Sequence, residues 1–194
     1  MVGRKALLVL ALVVIVALLV FNIYLGKTKS PSSPISQTVI PPAEASQATS
    51  VDSPDGKLTL LMKTVKRRSE VSYSFSVSGG EIFAKTVSPV VSFSIPLNTW
   101  SPNGKYVFLK ESGSTGVSFF ALSASVSSSD QNDRTANITD LFVRKYPDLK
   151  ITDATGWGGV ALIVFNTTKS DGSLGPSFWF EMPSHSFIQL STHF

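Results

Sequence analysis

The side chains able to do chemistry are few. Of two histidines, His185 lies in the turn-like Pro183-Ser184-His185-Ser186 and His193 is one residue from the C-terminus. Nucleophilic hydrolysis needs a nucleophile, a base and an orienting acid. Ser and Thr are so abundant, 45 of 194 residues, that a serine near a histidine carries no information. No GxSxG elbow, GxxxxGK[ST] phosphate loop or HExxH pair occurs. With no cysteine and two histidines, an ordinary structural zinc site is excluded, and no catalytic residue, cofactor or metal ligand is assigned.

The binding candidates are aromatic and basic. Trp157 stands among Gly156, Gly158 and Gly159, so its ring is expected to be accessible to a ligand. Trp100 directly precedes a Ser-Pro turn and is the second candidate; Trp179, with Phe178 and Phe180, could line a ligand groove with them, although strand aromatics of this kind are ordinarily core. Lys66-Arg67-Arg68 is the one basic run and falls between two strand patterns. A solvated hairpin tip explains it; contact with lipid headgroups or an anionic wall polymer is the functional alternative. Asn137-Ile138-Thr139 and Asn166-Thr167-Thr168 are sequon-like tripeptides that mark turns.

The elements that must hold these residues differ sharply along the chain. Ala6 to Leu25 has 19 apolar residues in 20 positions after Arg4 and Lys5. At ~1.5 Å per residue such a helix reaches about 30 Å, a bilayer's hydrocarbon thickness. It exceeds a signal-peptide core and lacks a clean small-x-small exit, so it reads as an uncleaved signal anchor. Residues 1–5 are then a short cytoplasmic N-terminus, with the C-terminal body outside the cell membrane. Residues 26–50, with Pro31, Pro34, Pro41 and Pro42 and few large apolar side chains, read as a disordered stalk.

The body, 51–194, alternates apolar and polar residues: Leu58, Leu60, Met62; Tyr73, Phe75, Val77; Val91, Phe93, Ile95; Val107, Leu109; Val117, Phe119, Ala121; Ala161, Ile163, Phe165; Phe178, Phe180, Met182. Period two predicts half-buried strands. One short helix is predicted at 139–146, capped by Asn137 or Thr139 and ended by Pro147. From Ser53 on, 13 Lys/Arg face 11 Asp/Glu, a near balance without the basic face of a nucleic-acid binder.

Self-comparison adds a repeat. Ser53-Pro54-Asp55-Gly56-Lys57 and Ser101-Pro102-Asn103-Gly104-Lys105 stand 48 residues apart, each leading into an apolar strand. Thr155-Gly156-Trp157-Gly158-Gly159 is a degenerate third copy. These motifs resemble the WD40-like PD40 repeats of TolB-type β-propellers, strongly in two copies and weakly in the third. The resemblance implies an all-β fold of propeller-like antiparallel sheets that binds partners at one end of the ring, and it carries no catalytic residues. Closed propellers have about four to eight blades, so three degenerate blades are closed by other strands, pack as a compact β-sandwich-like domain, or pair with a second chain through open edges. The expected function is a non-enzymatic binding or scaffolding module of the cell envelope, its partners envelope proteins or wall polymers. An extracytoplasmic hydrolase or glycan-active enzyme, and a membrane-tethered regulator acting through partner proteins, are the alternatives.

Overall fold

The computed structural model describes residues 45–125 and 135–191. The expected membrane segment at 6–25 lies outside them. No helix among the described residues is long and apolar enough to cross a membrane.

The domain is three four-stranded antiparallel sheets, each strand pairing with the next in sequence. Sheet 1 holds β1 Ala45–Asp52, β2 Thr59–Lys66, β3 Val71–Val77 and β4 Gly80–Val87. Sheet 2 holds β5 Ser92–Ser94, β6 Tyr106–Gly113, β7 Gly116–Ser123 and β8 Thr135–Asn137. Sheet 3 holds β9 Leu149–Trp157, β10 Leu162–Lys169, β11 Phe178–Glu181 and β12 Ser186–Gln189. One helix, α1 Ile138–Lys145, joins the second sheet to the third.

Sheet 2 is the middle layer, and its sequence shows why. Val107, Leu109, Phe120 and Leu122 pack toward Leu60, Tyr73, Phe75 and Val77 of sheet 1. Phe108, Phe119 and Ala121, alternating with them, pack toward Ile163, Phe165, Phe178 and Phe180 of sheet 3. A strand buried on both faces must read as a continuous apolar run, as Val107-Phe108-Leu109 and Phe119-Phe120-Ala121-Leu122 do. The expectation of half-buried strands here is corrected accordingly. In sheets 1 and 3, which offer one face to the core, period two holds, as in the buried-intermediate alternation of β3.

Local chemistry sets the connections. Ser78 and Gly79 both take positive φ, 50° and 84°, the two-residue turn whose twist suits a hairpin. Asn137 caps α1 by accepting from the Asp140 N–H at 3.2 Å, while the hydroxyl of Thr139, the other cap candidate, accepts from the Phe119 N–H at 2.9 Å and ties α1 to β7. Phe142 and Tyr146 then close over Phe178 and Phe187 with ring centroids 4.8–6.3 Å apart.

The stalk boundary also needs correction. β1 pairs with β2 along all eight residues from Ala45 to Asp52, six positions inside the segment read as stalk. ASQATSVD has no large apolar residue before Val51, because an edge strand exposed from Ser46 to Ser50 is held by its backbone ladder and leaves no hydrophobic pattern.

Candidate functional site

The two Ser-Pro turns are the same structure twice. In the first, the Ser53 hydroxyl donates to Asp55 Oδ1 at 2.7 Å and accepts from the Leu58 N–H at 2.9 Å, while the Lys57 N–H donates to Asp55 Oδ1 at 3.2 Å. In the second, Ser101, Asn103, Tyr106 and Lys105 make the same three bonds at 2.9, 3.0 and 3.1 Å. Gly56 and Gly104 sit at φ +69° and +68°, where a side chain is strained. The third turn lacks the Ser-Pro-Asx set but is closed by the equivalent bond: Gly158 N–H donates to Leu162 O, as Ser53 does to Leu58 O and Ser101 to Tyr106 O.

That bond puts the three sheets in register. The residue directly before each turn is Asp52, Trp100 and Trp157, so the tryptophans occupy one repeat position, and the third copy follows the second by 57 residues. Their contacts repeat as well. The Trp100 indole N–H donates to Val51 O at 3.1 Å, and the Trp157 indole N–H donates to Thr99 O at 3.1 Å. Each accepting residue directly precedes the equivalent position of the previous sheet. Each tryptophan thus stitches its sheet to the one before it.

Between them lies a cleft of about 600 Å³ where the three sheets converge. Val51, Asp52 and Pro54 come from sheet 1, Leu97, Asn98 and Trp100 from the segment entering β6, and Thr155, Gly156 and Trp157 from β9. Leu97 is 99% exposed at the rim. Gly156 takes φ +130°, and a Cβ there would meet Asn98 at 3.2 Å, so glycine is what lets Asn98 lie against β9. The cleft offers indole faces, apolar walls, one carboxylate and one amide, the lining of a site that orients a ligand by few polar groups.

Trp157 is half-buried, stacked on Tyr106 with ring centroids 6.2 Å apart and planes at 20°, and Trp100 is only 6% exposed. The bare glycines around Trp157 do not free its ring. They admit neighbours: a Cβ on Gly158 would stand 3.0 Å from Trp179 Nε1 and 3.1 Å from Val164. Asp52, Leu97 and Asn98 were missed as lining residues. For Asp52 the available signal was its place 48 residues before Trp100; Leu97 and Asn98 give none.

Lys66, Arg67 and Arg68 are exposed at the β2–β3 turn, with Arg67 paired to Glu70 at 3.1 Å. They are not part of the cleft. β2 separates them from it by its full length, Thr59 to Lys66, roughly 23 Å at strand rise.

His185 lies outside the cleft, its ring stacked on Phe180 at 5.8 Å, and His193 is outside the described residues. Asn137 Nδ2 donates to Asp140 Oδ2 at 2.6 Å and Asn166 Oδ1 accepts from Ser177 at 2.7 Å, so both sequon asparagines hold the fold. Among the described residues no three His, Cys, Asp or Glu side chains converge on a point that could hold a metal ion.

No family model matches the chain, and neither the curated proteins nor the solved structures contain a match.

Proposed function

We propose that this chain is a single-pass, signal-anchored protein of the cell envelope whose outward domain is three propeller-like blades and works by binding, holding an extended segment of an envelope protein or wall polymer in the tryptophan-walled cleft. The carrying observation is the repeated stitch: Trp100 to Val51 O and Trp157 to Thr99 O, each step taking one sheet to the next at the same repeat position. A stack of blades advancing by one repeated contact supports kinship with PD40-type repeats and brings equivalent residues to one point, where the cleft opens.

The same geometry speaks against ring closure by a second copy placed head to tail. Asp52 would then occupy the position of the stitching tryptophan and, lacking an indole N–H, would face the Gly156 carbonyl with a second acceptor. Binding is favoured over hydrolysis because, among the cleft's lining residues, Asp52 is the single titratable group.

A photo-crosslinking residue at Leu97 of the full chain, with the same residue at the exposed outer-face Ala84 as control, tests the proposal in intact membranes. A discrete adduct at Leu97, absent at Ala84 and weakened by Asp52→Ala, is expected. Identical adducts at both positions, or none, would overturn the cleft as the site, and turnover of wall fragments by the purified chain would replace binding with hydrolysis.

A further inference from the structure

The strand ends of the three sheets fall into two groups. At one end are the cleft and the Ser-Pro turns. At the other, the register Ala45↔Lys66 places the point where the chain enters the domain beside the Lys66-Arg67-Arg68 turn. The remaining turns of that end share it. Gly113 approaches Val91, Gly116 approaches the Lys150 ammonium, and the Ser170 hydroxyl donates to Asp148 O at 3.3 Å.

Charge is divided unevenly between these ends. The entry end gathers Lys66, Arg67 and Arg68 from sheet 1, Lys150 and Lys169 from sheet 3, and Arg144 and Lys145 in the last turn of α1, all exposed. Against these seven cations stand Glu70, Asp148 and Asp171. The cleft end, among the described residues, has Asp52, Asp55, Glu81 and Glu181 against Lys57 and Lys105. The domain is therefore positive where it is tethered and negative where the cleft opens. Two large apolar side chains also stand out at the entry end, Val90 at 72% and Leu174 at 66% exposure. Leu97 and Val160 are exposed at the cleft end as well, so it is the excess of cations that matches the entry end to anionic lipid headgroups.

We infer that the entry end docks on the anionic surface of the bilayer that holds residues 6–25, so that the cleft faces away from the membrane; this rests on the reading of those residues as an anchor. Nineteen residues separate Leu25 from Ala45, at most about 65 Å of extended chain. Tethering over so short a span raises the local headgroup concentration enough for a weak electrostatic contact to persist. Residues 66–68 thereby gain a function that the cleft, at the other end of β2, does not give them.

The test uses the full chain reconstituted in vesicles of neutral lipid or of neutral lipid with about a third phosphatidylglycerol, carrying a fluorophore on Ser114→Cys at the entry end or Lys57→Cys at the cleft end, and a quencher on the lipid headgroups. Quenching at residue 114 in anionic vesicles only, relieved by about 0.5 M salt where screening falls to a few ångströms, with residue 57 unquenched throughout, is expected. In Lys66→Glu/Arg68→Glu the ratio of docked to free domain should fall at least about a hundredfold. Equal quenching in neutral and anionic vesicles, or tighter capture of the entry end by a soluble polyphosphate than by the vesicles, overturns the proposal. Co-sedimentation in high salt separates this from loss of the anchor: an anchored chain stays with the vesicles whether or not its domain docks, and an unanchored chain leaves them.

Discussion

At the scale of single residues, the paired turns isolate the effect of one atom. Asp55 and Asn103 accept the same hydroxyl and backbone N–H, yet only Asp55 titrates. The Ser53 hydroxyl, then the Lys57 N–H, holds its carboxyl below the ordinary value of 3.8. A carboxyl depressed in the folded state adds stability above its unfolded pKa, and that contribution is lost as pH falls through the lower folded value. Asp55→Asn should therefore narrow the fall in thermal midpoint between pH 6 and pH 2.5, and Asn103→Asp should widen it; an unchanged pH profile in both would mean that these bonds do not distinguish the charged form. Asp171, held low by Ser173 in the same way, keeps part of the acid sensitivity in either variant. The turns were legible in the sequence because their chemistry is local: Ser, Pro, Asx and Gly each act within five residues. The half-burial of Trp157 was not legible for the complementary reason, since the neighbours that fill the space around its glycines, Val164 and Trp179, arrive from other strands.

Elements with a period were found and elements without one were missed. β2, β3, β10 and β11 declare themselves by alternation because one face of each is buried. β6 and β7 were found through alternate residues only, Val107 and Leu109, then Val117, Phe119 and Ala121, and their burial on both faces was not read from that pattern. β1, β8 and β9 escaped notice: β8 is three residues long, β9 is broken by two register shifts against β10, and β1 is exposed. β1 is nonetheless integral, since the ladder to β2 and the Val51 carbonyl taken by Trp100 both depend on it. A chain beginning at Ala43, where the compact unit starts, should unfold cooperatively, while one beginning at Val51 should lose stability and expose the β2 edge to aggregation. Denaturant unfolding with light scattering decides between them, and equal midpoints would show that β1 is dispensable. Within α1, Phe142 is fully buried against three aromatic rings, so Phe142→Ala should cost about 3–5 kcal/mol by the same measurement.

For the whole molecule, three sheets in sequence order, two cores divided by a middle layer and one contact repeated from sheet to sheet account for the recurrence of equivalent positions 48 and then 57 residues apart. The repeat was legible as a motif; its consequence, the gathering of Asp52, Trp100 and Trp157 at one end and of seven cations at the other, needed the register of the strands. On the proposed reading, the domain is held at a membrane with its cleft end turned outward into the envelope. Lys57 lies at that end with its side chain 80% exposed, and the native chain has no cysteine to compete for a label. The most direct measurement is therefore modification of Lys57→Cys by a membrane-impermeant thiol reagent in intact cells. Complete labelling without lysis is expected, and labelling that appears only after lysis would contradict the account.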